Sequence, residues 1–110
     1  MELTFIIHYT GKNGDALKFV KEMTESGIVR RIRSKEGNLQ YQYYESFDDK
    51  ETILLIDRWK NQEALDLHHD STEMEEILKL RKKYNLSLKA DKYIPDNQTI
   101  TTKDQKFINM

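Results

Sequence analysis

The feature that most constrains the fold is an unbroken apolar run in the middle of the chain, within the segment TILLIDRW. Successive side chains of an extended strand point to opposite faces, so the run 53–56 makes both faces of this strand apolar. Such a strand has to be covered on both sides. Helices of the same chain can cover one side of a sheet, and the other side then needs a second layer.

The segments before this run predict two further strands and a helix. LTFIIHY predicts a first strand that the turn TGKNG ends, and NLQYQYYESF predicts a second strand joined to TILLIDRW by a loop at DDKE. Helical spacing begins near Asp15, the expected N-cap, and Gly27 is placed to end that helix. One face of the second strand is expected to carry Leu39, Tyr41, Tyr43 and Phe47.

The segments after the run predict two helices, a strand and a tail. Asn61 is the expected cap of the helix QEALDLHHD, and Thr72 with Glu75 forms a possible capping box for the helix that follows. LSLKADKYI predicts a fourth strand, which Pro95 ends. The tail 96–110 is expected to be frayed, or to pair as an edge strand with a partner subunit.

The predicted order, β-α-β-β-α-β, is that of a ferredoxin-like α+β domain with an antiparallel sheet and helices on one face. We predict one such domain over 1–95, followed by the tail. With 110 residues and 37% hydrophobic residues, the chain is short and polar for a self-sufficient core. Because one apolar face of the sheet would be bare, we predict a homodimer in which two sheets pack face to face as a dimeric α/β barrel.

Charge and composition exclude several classes of partner. The chain has 18 basic and 19 acidic residues, a net charge of −1, which favours neither nucleic acid nor an anionic membrane as partner. It contains no cysteine, which excludes disulfides, thiolate metal ligands and a thiol nucleophile. The sequence shows no signal peptide and no apolar stretch long enough to span a bilayer. We therefore expect a soluble, cytoplasmic protein whose partner is a small molecule.

A pattern of residues between Gly37 and Ser71 resembles the antibiotic biosynthesis monooxygenase family of dimeric α+β barrels. The family pattern joins a glycine and an aromatic strand to an acidic residue two before a tryptophan, and then to a helix that carries a histidine. Its members here are Gly37-Asn38, Leu39 with Tyr41, Asp57 with Trp59, Glu63-Ala64, His68 and Ser71. The acidic position is often glutamate in the family, so Asp57 has a shorter reach. The resemblance extends from about Leu3 to Ile94.

This resemblance implies a fold more strongly than a reaction, since function resides in the site. The family includes cofactor-independent monooxygenases of quinols and anthrones, haem-degrading enzymes, isomerases of phosphorylated signal molecules, and members without known activity. The haem-degrading members use Asn, Trp and His at the positions nearest to Ile7, His68 and Leu78, so their triad is absent here. No flavin, haem or metal cofactor is implied.

His68 is the candidate acid/base, because its reference pKa of roughly 6.5 makes both protonation states reachable near neutral pH. The alternative is a structural histidine whose ring nitrogens bond a backbone carbonyl or Asp57. Trp59, Tyr43 and His8 are candidate substrate-binding residues, with Asp57 as an orienting carboxylate that needs a partner if it is buried. Strand alternation leaves open whether His8 enters the cavity or lies at the dimer interface.

Three functions remain open at this point. The leading hypothesis is a homodimeric, cofactor-independent monooxygenase that acts on a small aromatic or quinol-like substrate. The second is a non-catalytic, ligand-binding or stress-related dimer. The third is an isomerase of a small phosphorylated signal molecule, with Arg30, Arg31 or Arg33 as the phosphate contact. A metal site is not favoured, because the adjacent His68 and His69 do not face one side of a helix.

Overall fold

The computed structural model describes residues 1–109 as a four-stranded antiparallel sheet with five helices. The strands are β1 (Leu3–Thr10), β2 (Asn38–Glu45), β3 (Thr52–Trp59) and β4 (Ser87–Tyr93). The helices are α1 (Asp15–Glu25), α2 (Ile28–Arg33), α3 (Gln62–His69), α4 (Thr72–Lys83) and α5 (Thr102–Ile108). The strand order is β2-β3-β1-β4, which confirms the predicted α+β, ferredoxin-like antiparallel sheet.

The sheet has two faces that differ in burial, and β3 shows the difference most clearly. Its odd-numbered residues from Ile53 to Trp59 are buried, whereas the even-numbered residues between them are partly exposed. The buried side chains point toward α1 to α4, and we call this side the helix face. The opposite side, which carries Ile6 and His8 of β1 and Leu54 and Ile56 of β3, is called the open face.

The core lies between the helix face and the helices. Its largest fully buried side chains are Trp59, Phe19, Met23, Ile32, Leu55 and Leu65. The inward packing predicted for the basic link is confirmed, since α2 buries Ile28, Val29 and Ile32. Two residues of the family pattern, Gly37 and Ala64, lie against each other. A Cβ at Gly37 would lie 2.7 Å from the Ala64 Cβ, so α3 can pack here only against glycine.

The predicted start of the first helix is wrong by one residue, and its predicted end is confirmed. Gly14, with φ +80°, is the N-cap, and Asp15 is already the first helical residue. Its carboxylate still lies in the first turn, where the helix dipole favours negative charge. Ser26 is the C-cap of α1, and Gly27, with φ +86°, follows it in the left-handed conformation that commonly ends a helix. The same glycine is the N-cap of α2, so the turn that requires glycine separates two helices.

The predicted cap of α3 is confirmed, whereas the predicted cap of α4 is wrong. Asn61 caps α3 as predicted, and its Oδ1 accepts a hydrogen bond from the Ala64 amide at 2.8 Å. The predicted capping box at Thr72 is wrong, because α4 is capped by Ser71, whose Oγ accepts from the Met74 amide at 3.3 Å. Ser71 is available for this role because α3 ends before it, with Asp70 as the C-cap.

Two other corrections concern the ends of β2 and the tail. Leu39 lies at an irregularity in the pairing of β2 with β3 and is 46% exposed, so it does not share the buried face of Tyr41. Phe47 follows the strand and is fully exposed in the loop. The tail contains the helix α5 in place of the expected edge strand. Tyr41 and Tyr43 keep their predicted common face, opposite Asp57 and Leu55 of β3.

Candidate active site

A cavity of about 200 Å³ lies between the helix face of the sheet and the helices α3 and α4. Its walls are mostly apolar and include Phe5, Ile7, Tyr9, Leu55, Met74 and Ile77. Four polar side chains also reach it: Asp57, His68, His69 and Arg81. An apolar cavity of roughly 150 Å³ can hold a benzene ring. The volume therefore suits a small molecule built on one substituted aromatic ring.

Asp57 is the carboxylate of this cavity, and its partner is two residues away on the same strand. The Trp59 Nε1–H donates a hydrogen bond of 2.7 Å to Asp57 Oδ1. Only 6% of Asp57 is exposed, and burial raises the pKa of its carboxyl group to about 7, although the indole hydrogen bond acts in the opposite direction. Asp57 can therefore gain or lose a proton near neutral pH.

His68 lies against the same tryptophan. Its ring stacks on the Trp59 ring with 4.9 Å between centroids and 23° between planes, and the residue is 3% exposed. Burial, followed by the positive charge of Lys35, lowers the pKa of His68 to about 4. The imidazole is thus neutral across the physiological pH range. The hydrogen bond considered from the sequence, to Asp57 or a backbone carbonyl, is replaced by one to Lys35.

Lys35 determines which nitrogen of His68 carries the proton. Its Nζ lies 2.9 Å from His68 Nδ1, 2.8 Å from Ser71 Oγ and 2.9 Å from Glu73 Oε1. An ammonium group has three protons to donate and accepts none, so each of these three atoms accepts one. Nδ1 is then unprotonated, and the proton of the neutral ring resides on Nε2. His68 consequently offers a hydrogen-bond donor at Nε2, not a free basic nitrogen.

The five residues proposed from the sequence occupy different places. Asp57 and His68 line the cavity, and Trp59, which is fully buried, contacts both of them from behind. Tyr43 lies on the helix face outside the cavity, and its buried hydroxyl has no hydrogen-bond partner within residues 1–109. His8 lies on the open face, opposite Leu54 and Lys89. The structure therefore brings together three of the five.

Sequence reasoning missed Lys35 and Arg81. Lys35 belongs to the basic link, which suggested a solvated face, and its contact with His68 joins positions 33 residues apart. Arg81 had a readable signal, because it continues the inward series of Met74 and Ile77 at helical spacing on α4. A charged residue within an apolar helical series is the sequence feature that could have identified Arg81.

Two of the three arginines of the basic link, Arg31 and Arg33, are engaged in structural contacts. Arg31 forms ion pairs with Glu73 at 3.0 Å and with Glu76 at 2.9 Å. Arg33 Nε donates to the Tyr41 carbonyl oxygen at 2.8 Å. Neither side chain lines the cavity.

Residues 1–109 offer neither a metal site nor a membrane span. No three histidine, aspartate or glutamate side chains in this part of the chain are grouped to hold a metal ion. None of the helices described there combines the length and apolarity that a membrane crossing requires.

Comparison with known proteins gives a consistent picture. A family model for antibiotic biosynthesis monooxygenases matches residues 3–80. YcnE of Bacillus subtilis (strain 168), provisionally named a monooxygenase, is 27% identical over 48 residues, which is 44% of this chain and 50% of YcnE. The matched region thus covers about half the length of that relative.

Solved structures show the same fold at low sequence identity. A protein of Deinococcus radiodurans, provisionally assigned to antibiotic biosynthesis monooxygenases, has a TM-score of 0.76 at 17% identity, over 93% of this chain and 99% of that one. A point mutant of SnoaB, a cofactor-independent oxygenase of Streptomyces nogalater, has a TM-score of 0.73 at 13% identity, over 90% and 96% of the two chains.

Proposed function

This chain belongs to the antibiotic biosynthesis monooxygenase family, and we propose that it is a monooxygenase that oxidises a small aromatic or quinol-like substrate without a cofactor. One observation carries the proposal: a buried carboxylate with a pKa near neutrality shares an apolar cavity with a neutral histidine donor. The pair suits removal of a proton from a substrate and stabilisation of the resulting anion.

Asp57 is the base in this proposal. Its carboxylate takes a proton from an acidic C–H or O–H of the substrate, and the electron pair left behind makes the ring electron-rich. The carbanion carbon transfers one electron to dioxygen, and the two radicals combine into a C–O bond. The resulting peroxide anion takes back the proton held by Asp57 and becomes a hydroperoxide. The hydroperoxide then loses water, so that one oxygen atom stays as a carbonyl and the other leaves as H₂O. Both oxygen atoms and all electrons are accounted for by substrate and dioxygen.

His68 has a different role from the acid/base predicted from the sequence. Its Nε2–H donates a hydrogen bond to the developing negative charge on the substrate oxygen, as a fixed, neutral donor. Lys35 holds the required tautomer through its hydrogen bond to Nδ1 of the same ring. Trp59 positions both residues, since it stacks on His68 and hydrogen bonds to Asp57.

Oxygen uptake with reduced menadione or an anthrone tests this function. Asp57→Asn removes the base but keeps the shape and the acceptor for Trp59, so we expect the rate to fall by about 10²- to 10⁴-fold. Asp48→Asn makes the same change in the exposed β2–β3 loop and serves as the matched control. Equal rates in the two variants would contradict the role of Asp57.

A second pair of variants separates a donor from a base at position 68. We expect His68→Ala to lose about 10²-fold or more of the rate, in the range of a lost oxyanion donor. His68→Gln should retain more activity, because its side-chain amide can still donate a hydrogen bond but cannot serve as a base. If both variants lose activity equally, the donor role has no support.

The pH dependence of the rate distinguishes the two residues further. The reaction needs ionised Asp57, so the rate should rise as the pH increases through about 7 and then level off. His68 stays neutral above about 4 and adds no step in this range. A rate that falls as the pH rises through 7 would exclude Asp57 as the base. No uptake across a quinol panel would instead support the non-catalytic, ligand-binding alternative.

We also propose that the open face is covered by a second copy of the chain. Ile6, Leu54 and Ile56 form an apolar strip on this face and remain partly exposed in the single chain. A like strip on a second copy would give both sheets the cover that β3 requires. Sedimentation at micromolar concentration should show twice the mass of one chain, and Ile56→Lys should reduce it to one. A wild-type monomer would reject the dimer.

A further inference from the structure

Arg81 is a cavity residue that the proposed reaction leaves unused. It lies on α4, lines the cavity, and forms no ion pair or side-chain hydrogen bond with any residue of 1–109. Its Nε is sealed from solvent without an acceptor. A buried donor without an acceptor is destabilising, because it has given up water and gained no partner. An arginine whose Nε lacks an acceptor and which lines a cavity indicates that the acceptor is supplied by a bound molecule.

The guanidinium shares the cavity with Asp57, and both charges act on Tyr9. Burial raises the pKa of Tyr9 to about 12; the positive charge of Arg81 counteracts part of this effect and the negative charge of Asp57 adds to it. Tyr9 pairs with Leu88 of β4, which also lines the cavity. Asp57 lies on β3, two strands from β4 in the order β3-β1-β4. Asp57 pairs with Phe5 and Leu88 pairs with Tyr9, so these two cavity residues are also four residues apart along β1.

We infer that Arg81 binds a carboxylate group of the aromatic substrate in this cavity. The planar guanidinium matches a carboxylate by donating parallel hydrogen bonds to its two oxygens. The small volume of about 200 Å³ must also contain the ring, and this favours a compact carboxylate over a phosphate. Phe5 and Ile7 of β1 supply an apolar wall for the ring.

This arrangement orients the substrate. With its carboxylate held by Arg81, the ring lies against Phe5 and Ile7 in the cavity that Asp57 and His68 also line. The group presented to Asp57 for deprotonation is then fixed by its position on the ring relative to the carboxylate. Arg81 would therefore be a specificity-determining residue. Because a carboxylate on the ring specifies the substrate class of the proposed oxygenase, this role of Arg81 rests on the proposed function.

Binding of two matched probes tests the inference without requiring turnover. Titration calorimetry on the full chain compares 4-hydroxybenzoate with its uncharged isostere, 4-hydroxybenzamide. We expect the carboxylate to bind at least about tenfold more tightly, since a hydrogen bond to a charged group is worth more than a neutral one. Arg81→Gln should abolish this preference. Lys82→Gln removes the same charge from the exposed neighbour on α4 and should preserve the preference.

Three results would overturn the inference: equal affinity of the wild type for both probes, an unchanged preference in Arg81→Gln, or no binding of either probe. If Arg81→Gln does not fold by circular dichroism, Arg81→Lys replaces it. That variant keeps the charge without the planar fork and should retain only part of the preference. The wild-type comparison of the two probes remains decisive in either case.

The same reagents separate this inference from the oxygenase proposal. Arg81-dependent binding of 4-hydroxybenzoate with no oxygen uptake from any substrate would leave the carboxylate site in place and reject the oxygenase. Oxidation of uncharged quinols at equal rates by the wild type and by Arg81→Gln, with no preference for the carboxylate probe, would support the oxygenase and reject the carboxylate site.

Discussion

The two faces of β3 carry similar apolar side chains but have opposite surroundings. Leu55 points toward the helices and is 1% exposed, while its neighbour Leu54 points to the open face and stays partly exposed. The charged side chains differ in the same way. On the open face, Arg58 donates to Glu2 Oε1 at 2.6 Å, an ordinary ion pair that is about one-third exposed. On the helix face, Asp57 has only an indole for a partner.

This difference determines which face of the sheet can carry a group that exchanges protons near neutral pH. Arg58 keeps access to water and has the opposite charge of Glu2 beside it. Asp57 has neither, and burial raises the pKa of its carboxyl group to about 7. Helices covering one face thus convert a strand carboxylate into a group that exchanges protons near neutral pH. The open face presents apolar side chains instead, and these suit association with a second copy of the chain.

Leu55→Ala and Leu54→Ala provide the strongest test of this comparison. Loss of the fully buried Leu55 side chain should lower the free energy of unfolding by about 2–5 kcal/mol. Leu54→Ala should cost about 1 kcal/mol or less in the isolated chain. Urea denaturation at several protein concentrations measures both. A cost for Leu54→Ala that grows with protein concentration would locate Leu54 in a subunit interface.

The pH dependence of stability tests the environment of Asp57. Because the pKa of Asp57 is raised from 3.8 to about 7 on folding, the folded chain keeps its proton over a range where the unfolded chain loses it. Asp57 therefore lowers stability as the pH rises from about 4 to 7. Asp57→Asn should gain about 2–4 kcal/mol relative to the wild type between these pH values. A constant difference across this range would show that Asp57 is not desolvated.

Lys35→Met tests whether Lys35 lowers the pKa of His68, which is the smallest of the expected effects. Removal of the ammonium takes away a positive charge that lowers the pKa of His68, so this pKa should rise from about 4 toward its ordinary value of 6.5, while burial still holds it below that value. Titration of the ring followed by NMR measures the change. Lys79→Met, which alters an exposed lysine of α4, is the control. No change in the pKa of His68 would mean that Lys35 does not set its protonation.

Local patterns predicted the frame of the fold because they depend on near neighbours. The apolar run of TILLIDRW predicted β3 with its observed bounds, Thr52–Trp59, and Asn61 was identified as a cap from the helix that follows it. Local patterns failed to predict a helix cap where two neighbouring residues could both form it. Ser71 and Thr72 are both good capping residues, and the end of α3 decided between them. Leu39 left the buried face because β2 is irregular there.

The sequence alone determined that Asp57 and Trp59 share one strand face and that either Leu67 or His68 turns inward from the next helix, because each depends on the period of a single element. Only the tertiary structure decided what those side chains can do. Packing brings Lys35 to His68 from 33 residues away, and this contact selects the tautomer. Packing also encloses Asp57 and Arg81 in one cavity. A pKa or a tautomer depends on water excluded and charges gathered from distant parts of the chain, which no local period records.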